Sequence, residues 1–120
     1  MKVYKNVMFL LENYRILNAK ARTYEAMNRP CEAASVYIVT EAIDHALDVL
    51  NDIERACICL IYMEFKTIPA VAREIYCSEG SVYRHRRSAL EKLEAVLGNP
   101  LEGADRERLE VIFGKEAVAG

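Results

Sequence analysis

Apolar residues recur every three or four positions along most of the chain, which is the spacing of one face of an α-helix. Over residues 3–27 the spacing alternates between four and three, as in the heptads of a coiled coil. A proline follows this segment and disfavours helical angles in the residue before it, and the spacing then returns over residues 32–50. The pattern predicts two long helices joined by a short linker, which is typical of an antiparallel helical hairpin.

Three further helices are predicted downstream. Asn51 is followed three residues later by Glu54, an arrangement that resembles a capping box and indicates the start of a third helix. Thr67 is expected to cap a short fourth helix, and Ser78 is expected to cap a fifth that continues to Leu97. The apolar face expected for the third helix consists of Ile53, Ala56, Cys57, Leu60 and Ile61. That of the fourth helix consists of Ile68, Val71, Ala72 and Ile75.

The predicted fold class is all-α, with an N-terminal helical hairpin, a three-helix helix-turn-helix domain and a weak C-terminal helix at about residues 104–113. We divide the chain into a hairpin at 1–50, a helix-turn-helix domain at 51–98 and an acidic tail at 99–120. Apolar residues make up 52% and charged residues 28% of the 120 residues, which is typical of a globular chain.

No apolar run approaches the length of a membrane span, and the N-terminus carries no cleavable apolar segment. We therefore expect a cytoplasmic protein that does not enter a membrane. Its four cysteines are then expected to be reduced.

A crossing of two helices is the most informative prediction. Ala72 supplies a small residue on the fourth helix, and Val82 supplies an apolar residue one turn into the fifth. Their separation of ten residues suits a helix-turn-helix. With Val82, Ala89 and Leu93 inside, the opposite face of the fifth helix should be exposed.

That exposed face carries the densest positive cluster of the chain. Because the net charge is −2, any affinity for DNA must come from such a local patch. Arginine can bridge phosphates or bind guanine in a bidentate way, and serine and tyrosine can meet phosphates or base edges. A solvated basic face with no ligand is the simpler alternative. The predicted DNA-binding residues are Thr67, Ser78, Glu79, Ser81, Tyr83, Arg84, Arg86, Arg87 and Ser88.

The same stretch resembles the fourth conserved region of sigma factors. The matching parts are Val71-Ala72 before the turn, residues 78–82 across the start of the fifth helix, and the basic helix ending in residues 89–93. One departure is Tyr76, which stands where a turn glycine is usual and must adopt an unfavourable backbone angle unless the turn differs. With its hairpin and small size, the chain also looks like phage late-gene transcriptional regulators of the ArpU and RinA type.

This resemblance implies a sequence-specific regulator that binds double-stranded DNA through the major groove with the helix at residues 79–97 and helps to recruit RNA polymerase. A homodimer formed through residues 3–50 is a further hypothesis. The alternative is that the heptad-like apolar stripe of this segment packs inside one chain. Two other functions remain open: a viral DNA-packaging adaptor of the small-terminase kind, and a helical protein-interaction module.

An enzyme is not expected. The chain has no phosphate-cradling glycine-rich loop and no nucleophile motif in its usual context. Carboxylates and His45 share one side of the second predicted helix, but a solvated face with ion pairs explains them better than a metal site does. No cofactor and no metal are therefore predicted.

Overall fold

The computed structural model describes residues 4–97, which form six α-helices and no strand. The predicted all-α fold is confirmed, while the predicted C-terminal helix and acidic tail lie outside the described residues. The helices are α1 (Lys5–Glu12), α2 (Tyr14–Ala26), α3 (Pro30–Leu47), α4 (Asp52–Ile58), α5 (Ile68–Glu74) and α6 (Glu79–Leu97), and α4 continues directly into a π-helical turn, Cys59–Met63.

The first predicted helix is divided at Asn13, so the prediction of one continuous helix is wrong. The Asn13 side chain donates a hydrogen bond from Nδ2 to the carbonyl oxygen of Phe9 at 2.8 Å, and its backbone N–H donates to the same oxygen at 3.1 Å. Asparagine side chains that compete for backbone partners favour such a break. The break allows α1 to contact α6 and the π-helical turn, while α2 pairs with α3.

The predicted hairpin is formed by α2 and α3. Asn28 turns the chain between them with φ of 58°. The backbone N–H of Arg29 donates to the carbonyl oxygen of Tyr24 at 2.8 Å, as in a Schellman motif. Leu17 and Ala21 of α2 and Ile43 of α3 are fully buried. The heptad-like stripe is therefore packed inside the chain, which was the alternative to a homodimer.

The capping box that begins α4 is present, but the buried face of the helix differs from the prediction. Asn51 accepts from the backbone N–H of Glu54, and the Glu54 carboxylate accepts from the backbone N–H of Asn51 at 3.0 Å. Ile53 is 50% exposed, whereas Glu54 is only 2% exposed. The prediction was wrong at Ile53, because Glu54 was assigned to solvent although its carboxylate has hydrogen-bond partners on α6.

Two apolar clusters hold the helices together. The larger one joins α1, α2 and α3 to α6 through residues such as Leu17, Ile43 and Leu93. The smaller one lies under the α5–α6 pair and contains Cys57, Val71, Ala72 and Val82. None of the helices between residues 4 and 97 combines the length and the apolar character needed to cross a bilayer.

Candidate nucleic-acid interface

The caps of α5 and α6 position the helix-turn-helix. The Thr67 hydroxyl accepts from the backbone N–H of Ala70 at 3.3 Å, and the Ser78 hydroxyl accepts from the backbone N–H of Ser81 at 3.1 Å. Between the two helices, Ala72 and Val82 are buried in the same small cluster. The predicted crossing is present, and it directs one side of α6 away from the core.

The turn between α5 and α6 is a Schellman motif with Tyr76 in the left-handed position. Tyr76 has φ of 57°, and the backbone N–H of Cys77 donates to the carbonyl oxygen of Ala72 at 3.0 Å. The unfavourable angle expected from the missing glycine is therefore observed. The Tyr76 side chain is 95% exposed and lines a shallow depression, which we call the turn depression. Its lining residues are Pro69, Ala72, Arg73, Tyr76, Cys77, Ser78 and Glu79.

The outward face of α6 presents two arginines to solvent. Arg84 donates from Nη2 to the hydroxyl of Ser81 at 2.9 Å, and Ser81 also accepts from the hydroxyl of Ser78 at 3.0 Å. Arg87 lies 3.6 Å from the carboxylate of Glu91, with 74% of its side chain exposed. An ion pair so exposed is weak and is readily exchanged for another anion. Both guanidinium groups are therefore accessible to a ligand.

Arg86 and His85 lie closer to the body of the protein. Both are half-buried, and the Arg86 guanidinium lies 5.2 Å from the centre of the Tyr83 ring. Burial raises the pKa of Tyr62, and the nearby charge of Arg86 partly offsets that rise. Arg86 thus contacts the half-exposed Tyr83 of the predicted site, and its charge also acts on Tyr62.

Ser88 does not lie on the exposed face, and that expectation was wrong. Its hydroxyl donates to Glu54 Oε2 at 2.6 Å, and Lys92 Nζ donates to the same carboxylate at 2.8 and 3.0 Å. Burial by itself would raise the pKa of Glu54, but the hydrogen bonds from Lys92, Ser88 and the Asn51 backbone outweigh it and lower the pKa from 4.5 to about 2. Glu54 therefore remains ionised and links α4 to α6.

The structure brings some predicted site residues together and separates others. Ser78, Ser81 and Arg84 form one hydrogen-bonded chain along the first turns of α6, whereas Thr67 lies at the start of α5. Sequence reasoning missed Arg73 and Tyr76, which border the site from α5 and the turn. The sequence marked Tyr76 as unusual, because a glycine is usual at that position of the turn. Nothing in the sequence distinguished Arg73 from other single arginines.

In the part of the chain that the structure describes, groups that could carry metal or nucleophilic chemistry are not gathered into a site. Among residues 4–97, no three His, Cys, Asp or Glu side chains are arranged to hold a metal ion. Burial raises the pKa of the Cys57 thiol to about 11, and Cys57 packs in the small cluster beneath the helix-turn-helix. A protonated, buried thiol is a poor nucleophile and serves as apolar filling.

Residues 46–95 match the family model described as Sigma-70, region 4. This segment is a helix-turn-helix domain like sigma-70 region 4. The matched region-4-like domain spans α4, the π-helical turn, α5 and most of α6, and the match supports a DNA-binding helix-turn-helix regulator. No curated protein and no solved structure gives a significant match to the chain.

Proposed function

We propose that this protein is a sequence-specific regulator of transcription, encoded by a phage or prophage, that reads double-stranded DNA with α6 in the major groove. One observation carries the proposal: within the region-4-like domain, Arg84 and Arg87 point away from the core without a buried ionic partner. Recognition helices of helix-turn-helix proteins place such residues against base edges and phosphates.

The α6 contacts divide into two classes. Arg84 and Arg87 on the outward face, with the half-exposed Tyr83, are the candidates for base edges. Ser78 and Ser81 at the helix start are the candidates for phosphates. Arg86 packs over the ring of Tyr83, and Ser88 is left out because its hydroxyl donates to Glu54.

The proposal is tested by selecting bound fragments from a random duplex library and measuring affinity for the selected sequence. Arg87→Ala is expected to weaken binding by about 1–3 kcal/mol if the contact is to a base. The double variant Arg84→Ala/Arg87→Ala should lose most discrimination between the selected duplex and a scrambled one. Fluorescence anisotropy at several salt concentrations measures both effects.

Arg15→Ala/Arg22→Ala is a charge-matched control, because both arginines are exposed on α2 of the hairpin. This control should leave discrimination intact and change affinity only through the loss of two positive charges outside α6. Equal affinity of the α6 double variant and the wild-type protein for the selected duplex would refute the role of α6.

RNA polymerase is the second partner that we propose, because the match to sigma-70 region 4 covers α5, the turn and most of α6. Retention of the full chain on immobilised polymerase, with and without the selected duplex, measures this interaction.

A homodimer through residues 3–50 remains a prediction. Because the stripe of α2 and α3 is packed internally, exposed residues such as Ile16 and Ile38 would have to mediate it. Sedimentation of the full chain decides between monomer, dimer and a packaging ring.

A further inference from the structure

Tyr76 combines a costly backbone conformation with an almost fully exposed side chain. Its φ of 57° lies in the left-handed region, which a residue with a Cβ adopts at a cost in free energy. Its ring is 95% exposed and gains little from packing within the chain. Glycine would form the same Schellman turn without that cost. A strained residue whose side chain meets only solvent indicates a contact outside the chain.

The position of Tyr76 identifies the chemistry of that contact. Tyr76 and Arg73 line the turn depression together with Ser78 and Glu79, the residues at which α6 begins. When a recognition helix enters the major groove, the preceding helix crosses the sugar–phosphate backbone. The turn that joins the two helices must then lie at the edge of the groove. Phosphate oxygens are the groups that border this edge.

The side chains of Tyr76 and Arg73 both carry hydrogen-bond donors that suit a phosphate. A tyrosine hydroxyl donates one hydrogen bond, and a guanidinium donates several with a full positive charge. Arg73 is exposed and has no ion pair within residues 4–97. Glu79 on the same border offsets the charge of Arg73, so the contact depends on the placement of the two donors rather than on a strongly positive field.

We propose that the Tyr76 hydroxyl donates a hydrogen bond to a DNA backbone phosphate at the edge of the major groove, and that Arg73 pairs with the same stretch of backbone. This inference rests on the proposed function, since it requires α6 in the groove. A backbone contact strengthens binding to every sequence and orients α6, but it does not choose bases.

The test compares variants on a 30-base-pair duplex selected by the wild-type protein and on a scrambled duplex of the same length. Tyr76→Gly should lower affinity for both duplexes by about tenfold while its melting temperature stays unchanged or rises, because the strain is removed. Tyr76→Phe should lower affinity to a similar extent. Arg73→Ala should reduce the slope of log K against log salt concentration by about one.

Asn28→Gly is the matched control, because Asn28 occupies the same left-handed position of a Schellman turn in the α2–α3 hairpin. It should leave DNA affinity unchanged. A scan of the duplex with single uncharged methylphosphonate linkages locates the contact. At one position the wild-type protein should lose affinity, while Tyr76→Phe should be insensitive there.

The outcomes separate this inference from the proposed function. If the α6 double variant loses discrimination but Tyr76→Phe binds both duplexes as tightly as the wild-type protein, the tyrosine contact is refuted and α6 keeps its role. If the wild-type protein binds no duplex, both proposals are refuted. A loss of affinity in Tyr76→Gly with an unchanged or higher melting temperature, together with a matching methylphosphonate position, supports the contact.

Discussion

Glu54 shows how one buried acidic side chain can set the position of a binding helix. Its carboxylate accepts hydrogen bonds from Lys92 and Ser88 on α6 while it also closes the capping box with Asn51. An ionised carboxylate buried without such partners would be strongly unfavourable. Because the partners lie about one turn apart on α6, they fix both the position and the rotation of that helix, and so the direction in which Arg84 and Arg87 point.

The lowered pKa of Glu54 predicts a specific dependence of stability on pH. The pKa is about 2 in the folded protein against 4.5 for a free glutamate side chain. The stabilisation from Glu54 is therefore present above the unfolded pKa and is lost as the pH falls from about 5 towards 2. Its size at neutral pH is about 3 kcal/mol. Urea unfolding of the wild-type protein and Glu54→Gln at pH 7 and pH 3 measures it.

Glu54→Gln should be less stable than the wild-type protein at pH 7, and the difference should shrink at pH 3. Glu91→Gln is the control, since Glu91 is an exposed acid on α6 and its weak pair with Arg87 should change stability by less than about 1 kcal/mol. Parallel pH dependences of the wild-type protein and Glu54→Gln would show that this carboxylate is not linked to unfolding.

At the scale of elements, the crossing of α5 and α6 depends on close approach. Ala72 is only 7% exposed and packs with Val71 and Val82 in a cluster that also contains Cys57 of α4. α5 has only seven residues, too few to be a stable helix by itself, so this cluster holds it in place. The turn between α5 and α6 keeps its geometry as long as the crossing remains tight.

Enlarging Ala72 should therefore separate the two helices. Ala72→Leu is expected to lower stability by about 1–3 kcal/mol, because extra methylene groups in a packed site force neighbours out of their favoured positions. It should also weaken DNA binding, because the cap residues of α6 would shift. Thermal unfolding followed by circular dichroism measures the first effect. Ala42→Leu is the control, as Ala42 is exposed on α3. A Tm for Ala72→Leu equal to that of the wild-type protein would mean that the crossing tolerates a larger side chain.

At the scale of the whole molecule, the hairpin and the region-4-like domain share one core. Leu17 and Ile43 of the hairpin belong to the same cluster as Ile58, Leu90 and Leu93 of the domain. The boundary drawn near residue 50 thus separates elements along the chain, but the core continues across it. The hairpin covers apolar side chains of the region-4-like domain, so its removal would expose that apolar surface to water.

A fragment beginning at Asn51 should consequently fail to unfold cooperatively. Removing the hairpin exposes the apolar sides of α4 and α6, and the remaining core is too small to balance the conformational entropy of the chain. Differential scanning calorimetry of the fragment and of the full chain measures this. A fragment with the melting temperature and enthalpy per residue of the full chain would show that the two parts are independent.

Much of the fold follows from local chemistry and could be predicted. Helical spacing, the capping box at Asn51 and the cap residues Thr67 and Ser78 are determined by neighbours within a few positions, and each lies where it was expected. The small-residue crossing at Ala72 and the left-handed Tyr76 could also be anticipated, because both are requirements of a short turn.

Long-range partners could not be predicted, since they depend on which helices meet. The burial of Glu54 in place of Ile53 and the inward position of the Ser88 hydroxyl result from contacts between segments far apart in the chain. Periodicity shows that a helix face is polar, but it does not show that a buried polar group has a hydrogen-bond partner 34 residues away. By itself the sequence determined the helices, their caps and the basic cluster. The tertiary structure decided which members of that cluster face solvent, because packing against α4 and the hairpin sets the rotation of α6.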